Sequence, residues 1–203
     1  VESARGLGAV LVPYLAHQRL VEAEDAFASL SRLRLPDVVS LQSLGDRFEY
    51  LGLSSQWQRA IALLRHSPMT AVSEASAWSL MNTAVGLALV MREANRADYG
   101  NHALGASLSW TTPWGNLELT AWDTVVHAYD VMTGFVRGIA QRFDARNGNN
   151  GVSYRVEMRM AAEAAGLASR SYGTVTSAVP ADRTRLRNQG ALLKEVRELL
   201  TLS

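Results

Sequence analysis

The chain has 203 residues, a hydrophobic content of 48% and a formal net charge of +1 at pH 7. This length and composition can bury one sizeable core, while the charge gives no overall attraction to nucleic acid or to a membrane surface. Because cysteine is absent, a disulfide scaffold, a thiolate zinc site and a cysteine nucleophile are excluded. The first residues, VESARG, carry no visible secretory signal.

The first half of the chain predicts a series of helices. Residues 7–12 are apolar and end at Pro13, so residues 1–13 are expected to form an arm that packs on a neighbour or the first turn of a helix. Apolar residues then recur at steps of three and four, which indicates helices with one buried side. The expected helices are Tyr14–Arg34, Val38–Leu51 with Asp37 and Gly52 as caps, a short helix from Ser54 or Ser55 to His66, and one from Ser67-Pro68 to about Arg96.

The last of these helices is expected to be buried among the others. It carries no charge from Ala75 to Val90, which is typical of a helix surrounded by protein. Its most apolar run contains Ser79, Asn82 and Thr83 and is too short for a comfortable membrane span. We therefore predict no membrane partner.

The second half of the chain predicts a loop, a long helix and two further helices. Gly100–Asn116 holds three Gly, one Pro and two Trp, which favours an ordered loop with a short strand at 106–111. Leu119–Ala145 keeps the longest uninterrupted helical period and is expected to be the central helix, with Trp122 in the core. After the turn sequence RNGNNG, Ser153 is expected to cap a helix that reaches about Ala168, and Asp182 to begin one that ends at Leu202.

These elements predict an all-α chain with a single helical domain of about seven helices. The predicted parts are an N-terminal arm at residues 1–13, a helical core at 14–168, and a flexible Gly/Ser/Thr-rich linker with the C-terminal helix at 169–203.

The sequence contains no catalytic signature. G-x-S-x-G, G-x-G-x-x-G after a strand and the P-loop are all absent. Asp123, His127 and Asp130 would share one helix face, where they could ligate a metal or act as a base with its orienting acid. A solvated or interface-facing polar stripe is the favoured interpretation, because no second cluster with ligand spacing is evident. No metal, cofactor or catalytic residue is therefore predicted.

Small and aromatic residues suggest contacts between helices. Gly134 and Gly138 form G-x-x-x-G, which in a water-exposed helix indicates close helix packing. The aromatic set either stacks nucleic-acid bases or, as we prefer, forms core and subunit contacts. This set is Trp57, Trp78, Trp110, Trp114 and Trp122.

Arginine is concentrated near the end of the chain. Residues 137–187 contain nine Arg and four acidic residues, a local charge of +5. A hairpin of the two helices there would bring four guanidinium groups to one end, where they could form a phosphate groove. These residues are Arg142, Arg146, Arg155 and Arg159. The alternative is an ordinary basic face balanced by acids from elsewhere in the chain.

Three stretches also follow one another in a suggestive order: LGDRFEYLGLSSQWQRAI, SAWSLMNTAVGLALVM and HAYDVMTGFV. They resemble the early amphipathic helix, the Trp-bearing apolar helix and the aromatic–Asp–aromatic box of flexible filamentous plant-virus coat proteins. The resemblance covers about half the chain and implies helical subunits that polymerise on single-stranded RNA. It also implies that Asp130 pairs with an Arg beside the RNA groove. The box reads AYDVM, whereas the family prefers two Phe around the acid, and the Pro-rich entry before it is missing.

These features predict a non-enzymatic, self-assembling viral coat or nucleocapsid subunit that packages single-stranded RNA. Its partners would be copies of itself and RNA, and its location the virion or the host cytoplasm. The predicted RNA-binding residues are Arg142, Arg146, Arg155, Arg159 and Asp130. Two alternatives remain open: an α-helical adaptor or structural component of a phage or bacterial assembly, docking through Leu186–Leu200, and a small helical enzyme that uses the Asp123, His127 and Asp130 face.

Overall fold

A computed structural model of the protein describes residues 2–33, 37–66 and 75–164. Within these ranges the chain forms seven α-helices and one two-stranded sheet. They are α1 (Glu2–Ala16), α2 (Leu20–Arg32), α3 (Asp37–Leu53), α4 (Trp57–His66), α5 (Ala77–Arg96), β1 (Leu108–Thr112), β2 (Gly115–Leu119), α6 (Val125–Asn147) and α7 (Gly151–Ala161). The predicted all-α class is confirmed. The seven described helices do not match the seven predicted helices one to one, because the predicted Tyr14–Arg34 helix is divided between α1 and α2. The predicted linker and C-terminal helix at 169–203 lie outside the described residues.

Helix α5, rather than the predicted 119–145 helix, is the centre of the core. Every residue from Leu80 to Met91 is buried, and α3, α4, α6 and α7 all pack against this helix. The uncharged run makes this possible, because no side chain in it must reach water. Helix α6 has one buried stripe and an exposed opposite face. Among the described helices, none has the length and hydropathy needed to cross a membrane.

Glycines bring α3 and α5 into close contact. A Cβ added at Gly86 would lie 2.6 Å from the carbonyl oxygen of Gly45 and 2.8 Å from the backbone nitrogen of Glu49. Gly45 faces Thr83 and Gly52 faces Leu89, so the two helices run in parallel. Gly52 is therefore an interior packing residue of α3, and its prediction as a C-terminal cap is wrong.

The predicted G-x-x-x-G contact is not formed within the part of the chain that the structure describes. A Cβ added at Gly134 or Gly138 would meet no atom within 4 Å. Both glycines lie on the outward side of α6, where the described part of the chain places nothing against them.

The N-terminal residues belong to the core rather than to an arm. Leu7, Val10 and Leu11 are buried, and α1 packs against α2 and α3. Pro13 lies inside α1, and its carbonyl oxygen accepts a hydrogen bond of 3.0 Å from the His17 amide. The helix ends only where Gln18 adopts a positive φ of 58°. The predicted boundary at residue 13 is wrong, because burial of the apolar stripe outweighs the single backbone donor that Pro lacks.

The predicted loop folds into a β-hairpin. Leu108 pairs with Leu119 and Trp110 with Leu117, and all four side chains are buried. The predicted strand at 106–111 is thus present, beginning two residues later and ending one residue later, but its partner β2 was not predicted. Leu119 lies in β2, and α6 begins at Val125 after the N-cap Thr124, whose side chain accepts from the His127 amide.

Trp122 precedes α6 and is 86% exposed, whereas Trp110 is 1% exposed. The prediction that Trp122 is a core residue is therefore wrong, because the helical period was extended through a turn.

Helix α7 is held at both ends by residues from other helices. At its start, the carboxylate of Asp144 accepts hydrogen bonds from the Val152 and Ser153 amides at 2.8 and 2.9 Å. At its end, the guanidinium group of Arg92 donates to the carbonyl oxygens of Met160 and Ala162. The predicted cap at Ser153 is wrong, and the helix ends at Ala161 rather than Ala168.

Candidate nucleic-acid interface

Three aromatic rings from separate elements meet beside the end of α6. The rings of Trp114 and Phe143 are nearly parallel, with centroids 6.1 Å apart and an interplanar angle of 10°. The ring of Trp78 meets Phe143 edge-on at 6.4 Å. All three rings are partly open to solvent, and Trp78 is 44% exposed. We call Trp78, Trp114 and Phe143 the aromatic ledge.

Local sequence positions each ring. The Ser76 hydroxyl accepts a hydrogen bond from the Ser79 amide, which caps α5 and places Trp78 in its first turn. Trp114 lies in the turn between β1 and β2, where its amide donates to the Thr112 hydroxyl. Phe143 lies in the last turns of α6, which ends at Gly148 in the left-handed conformation, φ 67°. The ledge is therefore built on regular elements and a short turn.

Two of the predicted arginines border this ledge. The guanidinium carbon of Arg146 lies 5.2 Å from the Phe143 ring centroid, within the range of a cation–π contact. Arg142 donates one hydrogen bond of 3.0 Å to the carbonyl oxygen of Pro113, in the hairpin turn. Both side chains are exposed, and neither forms an ion pair within the described part of the chain. Their remaining donors can therefore reach a ligand phosphate.

The other two predicted arginines are placed differently. Arg155 is exposed, and its Nε donates to the Gly151 carbonyl oxygen. Arg159 is partly buried and points into the molecule, where its Nε and Nη2 donate to Glu49 at 3.1 and 2.7 Å. Its Nη1 donates to Asn82 at 2.6 Å.

Arg159 therefore anchors α7 to α3 and α5. Its guanidinium group is thus occupied by Glu49 and Asn82 and does not join Arg142 and Arg146 beside the ledge, as the predicted groove would require. Removing its charge would leave the buried Glu49 carboxylate unpaired.

Among the described residues, Asp130 does not have the Arg partner that the coat-protein resemblance implies. Its side chain is exposed on α6 and forms no ion pair within residues 2–33, 37–66 and 75–164. The structure thus separates Asp130 from the arginines with which it was grouped.

The predicted Asp123, His127 and Asp130 face is only partly assembled. Asp123 lies in the turn before α6, where its Oδ2 accepts from the Thr120 amide at 2.6 Å and from the Thr120 hydroxyl at 3.0 Å. These hydrogen bonds and nearby His127 hold the pKa of Asp123 below its usual value. Its Oδ1 lies 3.7 Å from His127 Nε2. Across the part of the chain that the structure describes, no group of three His, Cys, Asp or Glu could hold a metal.

The acidic residues Asp144 on α6 and Glu157 on α7 are already engaged by other groups. Burial opposes ionisation of Asp144, but its hydrogen bonds from Ser153 and Val152 outweigh this effect and lower its pKa. Glu157 forms a two-pronged ion pair with Arg137, at 2.7 and 3.1 Å, and this contact lowers the pKa of Glu157. Neither acid therefore forms an ion pair with Arg142 or Arg146, and no other described acid does so.

Comparisons of the chain with protein-family models, with curated proteins and with solved structures find no match. The resemblance to flexible filamentous plant-virus coat proteins therefore remains a prediction that rests on the three sequence stretches. Sequence reasoning missed the ledge as a unit, because its three rings are separated by long intervals of chain. The Trp content and the Arg spacing at the end of α6 were the available signals.

Proposed function

We propose that this chain is a non-enzymatic structural protein that self-assembles and binds single-stranded RNA at the aromatic ledge. The observation that carries the proposal is the contact of Trp114, Phe143 and Arg146 in one partly exposed cluster. Aromatic faces stack on bases of any sequence, and guanidinium groups bind the phosphates between them. Arg142, at the hairpin turn, supplies the second charge. A viral coat or nucleocapsid subunit, present in a virion or the host cytoplasm, would use such a site.

Exposed apolar side chains support the self-assembly part of the proposal. Tyr154 and Met158 lie one turn apart on α7 and are 64% and 57% exposed, and Trp122 is 86% exposed. Neighbouring large apolar side chains on a surface, such as Tyr154 and Met158, are typical of contacts with other chains. Copies of the same subunit arranged along one RNA strand would cover them.

RNA binding is tested by fluorescence anisotropy of a labelled oligouridylate over a range of salt concentrations. Trp114→Ala is expected to weaken binding by about 1–3 kcal/mol, the contribution of one stacked base. Arg142→Gln with Arg146→Gln is expected to make the salt slope shallower by about 1.4, since each phosphate contact on a single strand contributes about 0.7.

Arg32→Gln is the matched control, because Arg32 is exposed in the last turn of α2. It should leave both affinity and slope unchanged, and circular dichroism should show all variants folded. Equal binding by the wild type and both interface variants would refute the ledge as the RNA site.

Assembly is tested by electron microscopy of purified protein with and without RNA. Regular filaments or rings that require RNA would support the proposal. Monodisperse monomers that carry no nucleic acid at low salt would count against it and would favour the adaptor alternative.

A further inference from the structure

A second pair of arginines lies on α3 and α4, apart from the residues of the aromatic ledge. The guanidinium carbon of Arg59 lies 4.3 Å from the ring centroid of Phe27, and that of Arg47 lies 5.3 Å from the same centroid. Phe27 is buried on α2 and packs on Tyr50, with ring centroids 5.4 Å apart. One aromatic ring thus holds two positive charges close together.

The acid at this cluster, Glu24, already accepts hydrogen bonds from two other side chains. One carboxylate oxygen of Glu24 accepts from Arg59 at 2.6 Å, and the other accepts from the Tyr50 hydroxyl at 3.0 Å. Arg59 also donates to Gln56 at 3.0 Å. Glu24 is therefore paired with Arg59 and Tyr50, and it forms no hydrogen bond or ion pair with Arg47.

Arg47 is the arginine that has no hydrogen-bond or ion-pair partner among the described residues. Its guanidinium forms no hydrogen bond or ion pair with any described residue, and its Nε is buried without an acceptor. Burial and the nearby charge of Arg59 both lower the pKa of Arg47. Burying an unpaired guanidinium group lowers the stability of the folded state. A bound anion would pair with this charge, so the arrangement favours a ligand site.

We propose that Arg47 and Arg59 form a binding site for a phosphate group, with Arg47 as the main ligand. Because only the Nε of Arg47 is buried without an acceptor, its two Nη groups can donate two parallel hydrogen bonds to one tetrahedral oxyanion. Arg59 adds a second charge while it remains paired with Glu24, and Phe27 with Tyr50 forms the apolar floor that fixes both side chains. The phosphate can be free or part of a larger ligand. The site does not depend on RNA binding at the ledge.

The test is thermal denaturation of the full chain in inorganic phosphate and in sodium chloride of equal ionic strength. A ligand that binds only the folded state raises the melting temperature. We expect phosphate to raise it in the wild type, with a saturable dependence on concentration, and Arg47→Gln to abolish the saturable part. Arg59→Gln should weaken phosphate binding by up to about fivefold, the effect of one exposed charge.

Arg32→Gln again serves as the control and should behave as the wild type. It also measures the general stabilisation that phosphate gives to any folded protein. The same phosphate effect in Arg47→Gln and in the wild type would overturn the proposal, as would a rise that never saturates. A parallel titration with oligouridylate separates the two sources. Loss of RNA affinity in Arg47→Gln would identify a phosphodiester, and unchanged RNA affinity with lost phosphate binding would identify a free phosphate or phosphate monoester.

Discussion

Replacing Gly86 by alanine would force α3 and α5 apart. The new methyl carbon would lie 2.6 Å from the Gly45 carbonyl oxygen and 2.8 Å from the Glu49 amide nitrogen. Both atoms belong to the backbone of α3, so no side-chain rotation can relieve the clash. The helices must separate by several tenths of an ångström along a buried interface. Overpacking of this kind costs about 1–3 kcal/mol, and the better helix propensity of alanine offsets about 1 kcal/mol of a larger steric cost.

The matched control is Gly134→Ala on α6. It makes the same chemical change inside a helix, but the added methyl group meets no atom within 4 Å. Because alanine lowers the entropy of the unfolded chain and favours helix, Gly134→Ala should stabilise the protein by about 0.4–1 kcal/mol. Urea denaturation followed by circular dichroism measures both variants. The two substitutions should therefore change the free energy of unfolding in opposite directions.

The outcome distinguishes the two possible roles of these glycines. If Gly86→Ala left the unfolding midpoint unchanged, the close approach of α3 and α5 would be wrong. If Gly134→Ala destabilised the isolated subunit, the G-x-x-x-G of α6 would pack against something within the same chain. A loss of assembly in Gly134→Ala, with unchanged subunit stability, would instead place that face at a contact between copies.

Three further predictions concern the core, pH and the end of the chain. Trp110→Ala should destabilise the fold by about 3–5 kcal/mol, because Trp110 is 1% exposed. Trp122 is 86% exposed, so Trp122→Ala should change stability by less than about 0.5 kcal/mol. Equal shifts in melting temperature would contradict this difference in burial. Burial, with a smaller contribution from Glu49, raises the pKa of Asp46 from 3.8 to about 6. Since the folded state then keeps this proton to a higher pH than the unfolded state, the wild type should lose stability relative to Asp46→Asn as pH rises from about 4 to about 6. A constant difference across that range would refute the shift. Truncation after Val179 should leave a folded core that no longer assembles, as circular dichroism and size exclusion would show; unfolding would mean that the terminal segment stabilises its own core.

Several features of the fold could be predicted because they depend on local pattern. Apolar spacing of three and four residues identified most helices, and the uncharged run of α5 indicated its burial before any contact was known. Errors came where a pattern continued through a turn. The period that includes Leu119 and Trp122 looks helical, but β2 and a turn occupy these positions, because Leu119 pairs with Leu108 across the hairpin.

Proline and glycine were the least reliable local signals. Pro13 was expected to end a segment, yet α1 continues past it because the apolar residues on both sides pack against α2 and α3. Gly52 was expected to cap a helix, yet it lies against Leu89 inside the α3 and α5 contact. In each case the tertiary contact outweighed the local preference of the residue.

The sequence by itself determined the helical class, the buried character of α5 and the concentration of arginine in residues 137–187. These properties follow from composition and short-range spacing, which every copy of the chain carries before it folds. Only the tertiary structure decided that Arg159 pairs with Glu49 while Arg142 and Arg146 remain exposed. It also decided which rings meet at Phe143. The physical reason is that side chains far apart in sequence have no spacing rule between them, and their contacts are set by how the helices pack.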